Sequence, residues 1–94
     1  MSRPCVDPAA VAQAILRLCT ARGPAKSICP SEVARALAGS DETVWRFLMP
    51  TVRREAFRLA EAGAIEVLRK GKPATQAEAR GVIRLRIRHS PQTT

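Results

Sequence analysis

The sequence predicts an α+β domain: a three-helix bundle followed by a β-hairpin, in the order α-β-α-α-β-β. Three observations predict it. Proline-marked segments with apolar residues three and four positions apart recur through the first two thirds of the chain. The period then shortens to strict alternation over residues 82–88. Finally, 94 residues, 46% of them hydrophobic, suffice for one modest core and no second one. The domain is expected at residues 7–88, with 1–6 and 89–94 as flexible termini.

Asp7-Pro8 predicts the first helix start. The carboxylate can cap free backbone N–H groups, and proline fits the first helical position, where a missing N–H costs nothing. Val11, Ile15, Leu18 and Cys19 then fall on one stripe, and Gly23-Pro24 ends the helix. Lys26 to Ile28 reads as a short extended piece. Pro30 opens the second helix, with Glu32 in its first turn and Val33, Ala34, Leu37 and Ala38 on its apolar face. Gly39 suits the residue past its end. Ser40 to Thr43 reads as a turn, and Val44, Trp45, Phe47 and Leu48 as a helical turn packed into the core. Pro50 is expected to start or restart a third helix running to about Ala62, with Val52, Ala56, Leu59 and Ala60 buried. Ala64 to Leu68 is rich in β-formers. Arg69 to Gly81 reads as a long polar connection. Val82 to Arg88 alternates, with Ile83, Leu85 and Ile87 on one face and Arg84, Arg86 and Arg88 on the other.

Helix, short strand, helix, helix, strand, loop, strand is the order of a winged helix-turn-helix. Three helices bury their stripes on one another, the hairpin wing covers the open side, and the piece at 26–28 can pair with the hairpin edge. Three segments, SICPSEVARAL, VWRFLMPTVRREAFRLAEAGAIEVLRKGKP and ARGVIRLRI, resemble a family of short bacterial proteins known as a domain of unknown function. The resemblance spans about residues 8–88. Its specific part is Trp-x-x-Leu-Met-Pro running into an Arg-bearing helix, then a strand and a Gly-Lys-Pro turn. Cys29 stands where the pattern would have a capping Ser. The resemblance implies a winged-helix fold and no activity.

Charge carries the functional information. Lys and Arg number 16 against 8 Asp and Glu, a net +8. Residues 1–45 hold five basic and four acidic residues, so +1. Residues 46–94 hold eleven basic and four acidic residues, so +7. A basic half on a small domain points to a polyanionic partner, most often nucleic acid. An arginine-rich composition of genomic origin would give the same total.

The third helix is the element that enters the major groove in helix-turn-helix proteins. Opposite the stripe centred on Val52 and Ala56 lie Pro50, Arg54, Phe57, Arg58 and Glu61, flanked by Thr51 and Arg53; Phe57 reads either as a partner-facing apolar residue or as part of the core boundary. Arg54 and Arg58, one turn apart, are the expected chief contacts to guanine edges or phosphates, with Thr51 and Arg53 in support. On the wing, Arg69, Lys70, Lys72 and Arg80 are expected to meet phosphates or the minor groove. Each set has a plain alternative. Arg54 and Arg58 could pair with Glu55 and Glu61 on a solvated face, and wing charges could only guard a strand edge. The Arg84, Arg86, Arg88 ladder is a solvated face, a polyanion contact or a docking strip for an acidic partner. The rival reading is a protein-interaction module, favoured by Phe57 and Glu61 on the reading face; RNA binding is a third, which the sequence does not separate from duplex DNA.

No catalytic constellation is visible. His89 is the lone histidine, Gly71-Lys72-Pro73 is a turn rather than a Walker loop, and the eight acids form no pair pattern. Cys5, Cys19 and Cys29 lack the spacing of a zinc site; Cys19 reads as core, and Cys29 at a helix N-terminus as an inert thiol or a redox switch. The expectation is a non-enzymatic, cofactor-free, cytoplasmic nucleic-acid-binding protein, acting on duplex DNA as monomer or homodimer. No stretch is long enough to span a membrane.

Overall fold

A computed structural model describes residues 7–75 and 81–88. The first helix, α1, is Pro8–Arg22. Asp7 caps it, its carboxylate accepting from the Ala9 N–H at 3.3 Å. Val11, Ile15 and Cys19 are buried one turn apart, with Ala12 and Ala14 beside them. Gly23 takes φ +91° past the helix end, and its N–H reaches the Cys19 carbonyl, a conformation that suits a residue without Cβ.

Helix α2 is Pro30–Ala38. Although Cys29 is a poor capping residue, its backbone N–H donates to the Glu32 carboxylate at 3.1 Å, so the N-terminus is held from the third helical position. Glu32 also receives Arg22 Nη2 at 2.8 Å, and Arg22 Nη1 donates to the Ser27 carbonyl. One arginine thus ties the end of α1 to the start of α2.

Helix α3 is Glu42–Glu61, which corrects the expected start at Pro50. Asp41, expected in a turn, is the cap: it accepts from the Thr43 N–H at 3.0 Å and from the Thr43 hydroxyl at 2.7 Å. Pro50 lies inside the helix. A proline there removes one backbone hydrogen bond and crowds the preceding turn. Pro50 and Arg46 both lie on the exposed side of the helix, so the lost hydrogen bond is not in the core. Across this point the apolar spacing does not break. Trp45, Leu48, Met49, Val52, Ala56 and Leu59 form one stripe packed on the core.

Two further expectations fail here. Val44 and Phe47 were expected in the core; both are exposed, Phe47 at 83%. Phe57, for which spacing leaves open a partner-facing place or one at the core boundary, is 7% exposed and belongs to the core.

Strand β1, Ile65–Arg69, is central in a three-stranded antiparallel sheet of order β2-β1-β3. Strand β2 is Lys72–Pro73 and β3 is Arg84–Ile87. The connection at 69–81 is therefore not a single long loop. Arg69 faces Lys72 across a two-residue turn, Lys70-Gly71, with φ +55° and +80°. Positive φ at both central positions is what a type I′ hairpin requires. The Ala74 N–H extends the pairing to the Val67 carbonyl. On the other edge, Ile65, Glu66, Val67 and Leu68 face Ile87, Arg86, Leu85 and Arg84. The extended piece at 26–28 reduces to one bridge, Ile28 with Leu85, held by two hydrogen bonds of 2.7 and 2.8 Å.

Alternation puts Ile65, Val67, Ile83 and Leu85 on the inner face, in one cluster with Val11, Ile15, Ile28, Val33 and Val52. Among the described residues, no helix is long and apolar enough to cross a membrane.

Candidate nucleic-acid interface

Helix α3 turns about 100° per residue. Its buried side is set by Val52, Ala56 and Leu59, so the side facing away holds Phe47, Pro50, Arg54, Arg58 and Glu61, all exposed. Thr51 and Arg53 are half-buried on the flanks. The four expected α3 contacts therefore share one broad face, but their surroundings differ.

Arg54 is exposed and, among the described residues, has no ion-pair partner. Arg58 is engaged: its guanidinium donates to Glu55 Oε1, Nε at 2.8 Å and Nη2 at 2.7 Å. The Arg58 side chain is 60% exposed and that of Glu55 only 7%. A nearly buried carboxylate needs a charged or hydrogen-bonding partner, and Arg58 supplies it. This is the pairing anticipated as the plain alternative for Arg58. It leaves Arg54 as the stronger cation on this face.

Arg53 points to the hairpin. Its Nη1 donates to the Gly81 carbonyl at 3.2 Å. Gly81 also lines an open hollow of about 450 Å³ with Arg69, Lys70, Gly71, Val82 and Arg84. The flank of α3 and the hairpin cations are thus neighbours. Lys70 and Lys72 are exposed, and Arg69 is half-buried. Lys70 holds a left-handed conformation that lysine rarely adopts, so the turn projects a cation where Asn or Gly would be the relaxed choice. Arg80 lies outside the described residues, as do Glu78, Cys5 and His89.

The arginine ladder is mostly spoken for. Arg84 donates to the Ser27 hydroxyl at 2.8 Å and to its carbonyl at 2.9 Å. Arg86 pairs across the strands with Glu66, its Nε 3.0 Å from the carboxylate. These side chains alternate with Ile83 and Leu85, which turn inward to the helices, so the ladder faces away from α3.

The two described cysteines are free thiols. Burial pushes the Cys19 thiol up to about 11, so it is neutral and unreactive at neutral pH. Cys29 Sγ lies 3.1 Å from the Ser31 hydroxyl.

Reasoning from sequence missed Phe47 and Val82, which is 80% exposed. The signal for Phe47 was available: it lies seven residues before Arg54, two helical turns along the same face.

Three helices and a small antiparallel sheet among the described residues make this an α+β protein. The chain belongs to the family described as "Protein of unknown function (DUF3253)", whose model matches residues 8–88. No curated protein matches it.

Proposed function

We propose that the chain is a winged helix-turn-helix protein that binds duplex DNA, with α3 as the reading helix and the β1–β2 turn at the wing tip. The observation that carries this reading is the outward face of α3, exposed among the described residues and bearing Arg54, beside the cations of the hairpin. The hydrogen bond from Arg53 to Gly81 links the two. The three-residue connection between α2 and α3, Gly39 to Asp41, also supports it, being of the length that joins helix-turn-helix pairs. So does the +7 balance of residues 46–94.

In this reading Arg54 contacts a base edge or phosphate, Thr51 and Arg53 support it from the flanks, and Arg58 contributes what its pairing with Glu55 leaves. Lys70, Lys72 and Arg69 hold phosphates, with Arg80 assigned the same role. A second reading, a module that docks an acidic protein, draws on exposed Phe47 rather than on Phe57, which is buried.

The test is fluorescence anisotropy of a labelled mixed-sequence duplex at about 50, 100 and 200 mM salt. With about five phosphates neutralised, log affinity falls against log salt with a slope near −4.5. Lys72→Ala is expected to weaken all sequences alike, and Arg54→Ala also to relax specificity. Binding that is absent at the lowest salt, or untouched by either substitution, overturns the reading.

A further inference from the structure

We propose that Phe47 is a specificity-determining residue that reads the 5-methyl group of a thymine in the major groove, while Arg54 reads a guanine about two to three base pairs away. This rests on the DNA-binding reading above and assigns the partner of its one apolar element.

A phenylalanine 83% exposed on a helix that buries its other phenylalanine is out of place by the ordinary rule of burial. Its position is defined by the same helix geometry that defines Arg54. Phe47, Pro50 and Arg54 succeed one another along the outward face, with Thr51 on its flank. Glu42, the acid of the N-terminal half of the helix, is paired with Arg46, and the exposed Glu61 lies at the far end of the face. Arg54, with the exposed hairpin cations Lys70 and Lys72, gives this side of the domain a positive balance. By charge complementarity it fits a polyanion, here one that offers an apolar spot in reach of a phenyl ring.

Duplex DNA meets both conditions at one group. The major groove presents hydrogen-bonding edges at every base pair, and its apolar feature is the thymine methyl. Duplex RNA does not meet them, because uracil lacks that methyl and the A-form major groove is too narrow to admit side chains. Seven residues of helix span about 10.5 Å, a reach of roughly two to three base pairs along the groove, whose steps exceed the axial rise of about 3.4 Å because the groove also winds. Phe47 and Arg54 can therefore address a thymine and a guanine on one groove track, with Thr51 on its flank.

The experiment uses the full chain. Sites are selected from a randomised duplex pool, and each thymine of the enriched site is then replaced singly by deoxyuridine, which deletes the methyl and keeps every hydrogen-bonding group. One replacement is expected to weaken binding about fourfold, the worth of one buried methyl. Phe47→Ala is expected to bind the thymine and deoxyuridine duplexes equally, with the salt slope unchanged. Because Phe47 is exposed, the variant is expected to keep the wild-type melting curve, which is recorded alongside.

Salt-dependent binding in which no thymine position responds to the replacement overturns the Phe47 contact and leaves the DNA reading standing. So does a response that survives in Phe47→Ala, or binding that Phe47→Ala leaves unchanged at every site; the last would move the ring to a protein partner. Loss of salt-dependent duplex binding in the wild type overturns both.

Discussion

The chain has two phenylalanines. They stand ten residues apart on the same helix and meet opposite fates. Phe57 is packed with Val52, Ala56 and Leu59 in the main core, while Phe47 stands in solvent. A helical wheel does not explain this, since it places both rings away from the buried stripe. The difference lies in what surrounds each half of α3. The C-terminal half is followed closely by β1, whose Ile65 and Val67 join the same cluster. Its flank at Arg53 is tied to Gly81. Flanked by helices and by the sheet, this half buries a wide arc that takes in Phe57 and even Glu55. The N-terminal half packs through Trp45, Leu48 and Met49, each only half-buried, with Arg35 over the Trp45 ring at 5.6 Å. It buries a narrow stripe and leaves Phe47 outside.

The largest expected effect tests this contrast directly. Phe57→Ala is expected to lower unfolding free energy by about 3–5 kcal/mol, the usual loss for a core aromatic. Phe47→Ala is expected to stay within about 0.5 kcal/mol of wild type, as exposed substitutions do. Denaturant melts of the two variants check it. Small domains have only about 5–15 kcal/mol in total, so Phe57→Ala would be marginally folded. Similar losses in the two variants would break the comparison, because Phe47 would then be doing structural service.

How much of this was legible follows the same division. α1 and α2 were marked by Asp7-Pro8, Pro30 and the following glycines, and the structure places them there. The outward position of Arg54 followed from spacing against Val52 and Ala56. The start of α3 did not, because Pro50 is a helix breaker by local rule. The stripe across it, Trp45 to Val52, and the Asp41 cap were the outweighed signals. β2 was hidden by its size and by Pro73, which is tolerated because it lies on an edge strand. The outward position of Phe47 follows from its spacing to Arg54, but the burial of Phe57 does not follow from spacing. Spacing gives the direction of a side chain but not the width of the arc that neighbouring elements cover.

The second contrast on α3 is between its two outward arginines, and its expected effect is smaller. Arg58→Ala removes the partner of the nearly buried Glu55 carboxylate; a buried acceptor left unsatisfied costs about 1–3 kcal/mol, and water reaching in from the exposed Arg58 side keeps the charged case near that range. Arg54→Ala removes no ion pair among the described residues and is expected to change stability by less than about 0.5 kcal/mol. Adding Glu55→Gln to Arg58→Ala is expected to recover part of the loss, since the two sites are in contact and not additive. Equal melting curves for the two single arginine variants would mean that Arg58 is as uncommitted as Arg54. The contrast also decides how binding is assayed. A lost signal in an Arg58 variant mixes stability with recognition, whereas Arg54→Ala isolates recognition.

The boundary between the two halves is Pro50, and the smallest effect concerns it. A proline inside a helix costs about 3 kcal/mol against Ala when packing allows no compensation. At Pro50 the cost is reduced, because the lost hydrogen bond lies on the exposed side of the helix and the proline also restricts the unfolded chain, worth about 0.4–1 kcal/mol. Pro50→Ala is therefore expected to raise stability by about 1–2 kcal/mol, read from the denaturation midpoint, with a small gain in helical circular dichroism. The sign is the informative part. A gain means that the N-terminal half of α3 is held to the C-terminal half by the continuous Trp45-to-Val52 stripe despite the missing hydrogen bond. A loss would mean that the proline directs Trp45 and Leu48 onto the core. The two halves would then be separately placed pieces, and the direction in which Phe47 projects would depend on Pro50 itself.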